Sequence, residues 1–60
     1  MALYRVHFID YGNNVRATQF IEQDNDEAAI AAAHRLNLLP RISAGFEVWE
    51  AERLVYRHRN

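Results

Sequence analysis

The sequence predicts an α+β domain in which one helix packs on one face of a small antiparallel sheet. Residues 24–40 combine an acidic start, an alanine-rich run and a closing proline, which together indicate a single helix. The segments on both sides of it alternate apolar and polar residues as strands do. The resulting order is β-β-α-β-β, in one domain spanning residues 1–60. A right-handed crossover then favours the spatial strand order 2-1-3-4.

The first half of the chain predicts a β-hairpin. Residues 3–9 alternate as a half-buried strand, and residues 10–14 (DYGNN) form a turn that the side chain of its aspartate can cap. Residues 15–22 form the second predicted strand. The alternation fails at Phe20 and Ile21, so we expect a bulge or the strand end there.

The central helix has recognisable start and stop signals. Asp24 is the predicted N-cap, with Glu27 reaching back to complete a capping box. Pro40 cannot continue a helix, so the last helical residue is expected between Asn37 and Leu39. At about 100° per residue, the face toward the sheet is small and alanine-rich, consisting of Ala29, Ala33 and Leu36.

The second half of the chain predicts a loop followed by one or two strands. Residues 41–45 form the loop and residues 46–49 the third strand. Residues 50–53 carry no Gly, Pro or Asn, and they either form a turn or continue one long strand. We favour the turn, which makes residues 54–57 a fourth strand, and we expect residues 58–60 to be loose.

Composition limits the function classes. The chain has no Cys, a net charge of −1, and seven Arg with no Lys. Disulfides and thiolate sites are therefore excluded, and a dedicated nucleic-acid binder, which is usually basic, is disfavoured. No apolar run is long enough to span a membrane, and the N-terminus lacks a signal-peptide pattern, so the sequence predicts a soluble cytoplasmic protein. Because so short a chain is marginally stable alone, association with a copy of itself is the favoured supplement.

No catalytic, cofactor or metal site is predicted. His7, His34 and His58 do not show the spacing of metal ligands. Ser43 is the single serine and lies outside any strand-turn-helix elbow. The acidic clusters are explained by helix capping and by a solvated strand edge. We therefore expect a protein that is not an enzyme and that carries no cofactor.

Several short motifs resemble those of a bacterial family. They are an opening YR…F-hydrophobic-D, a glycine-containing turn, an acidic cluster before an Ala-rich helix, and a closing E-hydrophobic-W followed by R-hydrophobic-V. The matching residues are Tyr4, Arg5, Phe8, Asp10, Gly12, Asp24, Asp26, Glu27, Glu47, Trp49, Arg53 and Val55. The chain thus resembles short uncharacterised alphaproteobacterial proteins. The resemblance implies the β-β-α-β-β order and no function, and Ala51 stands where that family often has Gly.

Self-association is the predicted function, through apolar residues that one helix on a small sheet cannot cover. The helix contributes a second apolar strip, and the last two strands contribute the rest, giving Ile30, His34, Leu38, Trp49, Leu54 and Tyr56. Trp49 and residues 54–56 are the hypothesised centre of the contact. The acidic block 22–27 and the basic block 53–59 could pair across a two-fold axis; the alternatives are that they pair within one chain or not at all.

The alternative prediction is a small domain that binds single-stranded nucleic acid. It would use arginine and aromatic side chains on the open sheet face and in the C-terminal tail. The candidate residues are Arg5, Arg16, Arg53, Arg57 and Arg59. The nearby glutamates would repel phosphate, so this partner is disfavoured.

Overall fold

The computed structural model describes residues 1–37 and 44–59, which form a four-stranded sheet with one helix. The strands are β1 (Ala2–Ile9), β2 (Val15–Gln23), β3 (Gly45–Glu50) and β4 (Arg53–Arg59), and the helix is α1 (Asp26–Asn37). The sheet has the order β2-β1-β3-β4, and all three pairings are antiparallel. The predicted fold class and strand order are therefore confirmed.

The core lies between α1 and the middle of the sheet. In β1, alternate residues point toward the helix, and the β1–β3 register sets Val6 opposite Val48 and Phe8 opposite Phe46. From the helix, the fully buried Ala29 packs on these side chains because its small size lets the backbone approach closely. The predicted helix face is confirmed, and the whole cluster comprises Tyr4, Val6, Phe8, Ala29, Ala33, Phe46 and Val48, with Leu36 at its margin.

The start of α1 differs from the prediction. Asp24 is not the N-cap, because the helix begins at Asp26 and the Asn25 side chain accepts a hydrogen bond from Ala28 N at 2.8 Å. Both residues are good capping types, and contacts of Asp26 with distant strands decide between them. The predicted helix end lies at residues 37–39 and the predicted loop at residues 41–45. Both ranges include residues between 38 and 43, so both predictions fall partly outside the described residues.

The β1–β2 hairpin is closed by the predicted turn. Asp10 Oδ1 accepts hydrogen bonds from the backbone N–H groups of Gly12 and Asn14, each at 2.9 Å. The predicted irregularity at Phe20 and Ile21 is wrong. The register there is regular and sends these neighbours to opposite faces of the sheet, so Ile21 packs on the core while Phe20 is exposed. The register shift occurs instead near the strand start, where Arg16 is the extra residue.

The second hairpin confirms the predicted turn after the third strand. β3 and β4 are joined at residues 51–52, where Ala51 takes the left-handed conformation with φ of 53°. The predicted loose tail is wrong for His58 and Arg59, which pair with Phe46 and Gly45. The His58 ring lies 5.2 Å from the ring of Phe46, a contact that holds the end of β4 in the sheet. Asn60 lies outside the described residues.

Candidate interaction surface

The sheet face opposite the helix carries most of the large apolar side chains that remain exposed. We call it the open face, and the strand registers place on it Leu3, Arg5, His7, Val15, Thr18, Phe20, Glu47, Trp49, Leu54 and Arg57. The exposed fractions are 57% for Leu3, 55% for Val15, 60% for Phe20 and 39% for Leu54. Single exposed apolar residues are ordinary on protein surfaces, but their collection on one face is not.

One cross-strand row of the open face carries two aromatic side chains, Phe20 and Trp49. The registers align Phe20, Arg5, Trp49 and Leu54 across the four strands. The guanidinium carbon of Arg5 lies 6.0 Å from the Trp49 ring centroid, within the range of a cation–π contact. Arg5 also donates a hydrogen bond to the Ala51 carbonyl, which ties its side chain to the turn between β3 and β4. Phe20 and Leu54, at the two ends, remain exposed.

The neighbouring row is polar and satisfies its own hydrogen bonds. His7 Nδ1 and Thr18 Oγ1 are 2.9 Å apart. Glu47 accepts from Arg57 Nε at 2.9 Å and from the Trp49 indole N–H at 3.0 Å. Because these groups are paired within the chain, the row adds little charge that a partner would have to neutralise.

A depression of about 380 Å³ lies over the two rows, lined by Arg5, His7, Val15, Glu47, Trp49 and Glu52. Glu47 and Arg57 are paired with each other, and Trp49 is bonded to the same carboxylate. The depression therefore offers a contact surface in which Glu47 and Trp49 are already hydrogen-bonded within the chain.

The sequence-predicted interface residues fall on two sides of the sheet. Trp49 and Leu54 lie on the open face, as described. His34 and Tyr56 lie on the helix side, where His34 Nε2 is 3.3 Å from Tyr56 Oη and its ring is 5.1 Å from that of Phe46. These two side chains pack within one chain, so they do not form one surface with Trp49. Ile30 is half-buried on the helix, and Leu38 lies outside the described residues.

The predicted nucleic-acid residues do not form one basic patch. Arg5 and Arg57 lie on the open face and are engaged by the Ala51 carbonyl and Glu47. The Arg16 guanidinium lies 3.8 Å from Asp10, and Arg59 Nη2 donates to Asn13 Oδ1 at 2.8 Å. Arg53 lies apart from these residues, beside Asp26 at the start of α1.

Arg53 belongs to a network that ties the helix start to the sheet. Its two Nη atoms donate to the two carboxylate oxygens of Asp26, each at 3.1 Å, and Arg53 also pairs with Glu50. The buried Tyr4 donates its hydroxyl to Asp26 Oδ1 at 2.8 Å. Of the predicted alternatives for the acidic and basic blocks, the contact of Arg53 with Asp26 is a pairing within one chain.

The network also shifts the protonation of its members. The hydrogen bonds from Arg53, and then from Tyr4, hold the pKa of Asp26 below its ordinary value. The hydrogen bond to Asp26, and then burial, raise the pKa of Tyr4 to about 12. The Asp26 carboxylate raises the pKa of Arg53. The network is therefore fully formed at neutral pH and has a structural role.

Leu3, Val15 and Phe20 are the most exposed apolar residues of the open face, and none of them is among the residues predicted for the interface. The signal for Phe20 was present, because two adjacent apolar residues in a strand must point to opposite faces. One of them was therefore bound to lie away from the core.

Neither a metal-ion site nor a membrane-spanning helix occurs in the described part of the chain. Within residues 1–37 and 44–59, no three His, Asp or Glu side chains come close enough to hold a metal ion. The single helix of this part of the chain is too short and too polar to cross a membrane.

No family model, curated protein or solved structure matches the chain, so a proposal of function rests on its own surface.

Proposed function

We propose that this chain is a non-catalytic protein-interaction module that forms a homodimer through the β2 half of its sheet. The observation that carries the proposal is the pair of more than half-exposed apolar side chains on adjacent rows of that half of the open face, Leu3 and Phe20, with the exposed Val15 beyond the polar row. Contiguous exposed apolar surface marks contact sites in small soluble domains. The cytoplasmic location and the bacterial family resemblance remain predictions from the sequence.

A second copy of the chain is the favoured partner for two reasons. First, a chain of 60 residues buries little surface alone. Small domains of this kind often gain stability from a disulfide or a metal, and a dimer interface would supply that stability by burying further surface. Second, a stable contact needs roughly 800 Å² from each partner, about a fifth of the 4030 Å² that the chain exposes. The molecule measures 31 × 22 × 15 Å, so a contact of that size needs one of its broad sides.

Binding of single-stranded nucleic acid remains the alternative. The row of Phe20, Arg5 and Trp49 has the composition of a stacking platform. Against this reading, Arg5 and Arg57 are engaged within the chain, and Glu47 and Glu52 border the same depression. A nucleic-acid complex would weaken steeply with salt, whereas an apolar dimer would respond little.

Sedimentation equilibrium over a wide concentration range, at low and high salt, tests the proposal. We expect a monomer–dimer equilibrium that barely depends on salt, and we expect Phe20→Ser to weaken it about tenfold or more. Tyr11→Ser is the matched control, because Tyr11 is 83% exposed but lies in the β1–β2 turn. A chain that stays monomeric at every concentration, or that dimerises equally well with Ser at position 20, would refute the proposed function.

A further inference from the structure

The two edges of the sheet are protected to different degrees. β4 carries arginines at positions 53, 57 and 59 and has a register shift at its centre, two features that discourage pairing with another strand. β2 has five consecutive uncharged residues, Ala17 to Ile21, of which the first four are exposed on both sides of the sheet. Its only register shift lies at Arg16, outside this stretch. β2 is therefore the edge that is open to strand addition.

We propose that a second copy of the chain pairs antiparallel with the edge of β2, with Gln19 on the two-fold axis. Two four-stranded sheets then become one continuous sheet. The inference rests on the proposed function and specifies where and in which register the two copies meet. Backbone hydrogen bonds would supply much of the contact, as in other cases of strand addition.

The register follows from the sequence of the strand. In a continuous sheet, residues opposite each other must point to the same face, so a two-fold axis passes through a residue of β2. With the axis at Gln19, the residues from Arg16 to Glu22 pair on matching faces, whereas Val15 lies beyond the register shift at Arg16 and has no partner on its own face. An axis at Phe20 pairs as many residues, Ala17 to Gln23, but it leaves Arg16 outside the pairing and sets Glu22 opposite an uncharged Thr18. The charges of β2 therefore favour Gln19.

The same register is complementary in charge and shape. It sets Arg16 of each copy opposite Glu22 of the other, which brings the two charged residues of β2 together as two opposite-charge pairs. It also sets Phe20 opposite Thr18, an aromatic beside a β-branched residue on the open face. On the other face Ala17 lies opposite Ile21. No like charges oppose each other.

Strand addition would also bring apolar side chains of the two copies together on the open face. With Gln19 on the axis, the two copies of Phe20 are diagonal neighbours across the new strand pair, within reach of each other. The most exposed apolar side chain of β2 would thus be partly covered in the dimer.

Cysteine cross-linking tests this geometry directly, because the chain has no Cys of its own. In an antiparallel pair, residues opposite each other have Cα atoms about 4.5–5.5 Å apart, within the range that a disulfide spans. Under mild oxidation we expect Gln19→Cys to form a covalent dimer at least tenfold faster than Ala31→Cys. Ala31 is the control because it is exposed on α1, away from the edge of β2.

A charge exchange tests the register independently. Arg16→Glu and Glu22→Arg should each weaken the dimer about tenfold, because each sets two like-charged pairs across the axis. The double variant should restore most of the affinity, and circular dichroism should show that all three remain folded. Arg16 also lies 3.8 Å from Asp10 within its own chain, a contact that the double variant does not restore.

The outcomes separate this inference from the proposed function. A dimer in which Cys at position 19 cross-links no faster than the control would overturn strand addition and leave the homodimer standing. Cross-linking without rescue in the double charge variant would overturn the register. A monomer by sedimentation would overturn both proposals together.

Discussion

Ala51 is held in a backbone conformation that alanine adopts only at a cost, and its replacement by glycine should stabilise the fold. Its φ is 53°, in the left-handed region, where the Cβ of an L-residue approaches the following carbonyl. This strain amounts to about 1–2 kcal/mol, and the larger freedom of glycine in the unfolded chain offsets about 0.5–1 kcal/mol. We therefore expect Ala51→Gly to stabilise the domain by about 1 kcal/mol.

The assay is thermal and urea denaturation at one fixed protein concentration, since dimer formation makes the midpoint concentration-dependent. A gain of about 1 kcal/mol corresponds to roughly 4–8 °C in Tm for a domain of this size. The Arg5 contact at this position is made to the backbone carbonyl and survives the substitution. Ala31→Gly, at an exposed position within α1, should lower stability by about 1 kcal/mol. If both substitutions lowered the midpoint, the assigned strain at Ala51 would be wrong.

Three further predictions concern the sheet and the network at the helix start. Gly45→Ala should lower the free energy of unfolding, measured by urea denaturation, by about 3 kcal/mol, because the new Cβ would collide with the His58 carbonyl oxygen. Gly12→Ala is the control. Its Cβ would meet only side-chain atoms, at 3.2 and 3.4 Å, so this substitution should be tolerated. Tyr4 has a pKa raised to about 12, so the stability it contributes is present below pH 10 and should be lost as pH rises from 10 toward 12; an unchanged alkaline limb in Tyr4→Phe would contradict this. Asp26 has a lowered pKa, so the stability it contributes is present above the ordinary pKa of 3.8 and is lost as pH falls through its depressed pKa. Asp26→Asn should therefore flatten the acid limb of a stability–pH curve. An acid limb as steep as that of the parent chain would argue against the role of Arg53.

The fold could be predicted because its signals are local. The alternation around Val6, the alanine run of α1 and the turn at Asp10 each depend on neighbours in sequence, and together they leave few topologies. The strand order followed from the handedness of the crossover, and the structure shows it.

The misses have a common cause, which is contact between residues far apart in sequence. The choice of Asn25 over Asp24 as N-cap depends on Asp26 being held by Tyr4 and Arg53. The ordering of His58 depends on the rings of Phe46 and His34. No pattern within ten residues encodes either contact.

The candidate surface was predictable only in part. Trp49, Leu54 and Tyr56 are predicted interface residues because they exceed what one helix on a small sheet can cover, and the structure places Trp49 and Leu54 on the open face. Tyr56 does not lie with them. The register shift in β4 sends it to the helix side instead, and such a shift has no marker residue in this sequence.

The central claim is that two copies of the chain meet along β2, and residue-resolved amide hydrogen exchange across the dimerisation range tests it most directly. We predict that alternate amides within Ala17 to Ile21 become protected as concentration rises, because those that point away from β1 gain partners in the second copy. The amides of the β4 edge should not change. Protection that appears along β4, or a dimer that forms while the β2 amides exchange at the rate of the monomer, would contradict the account.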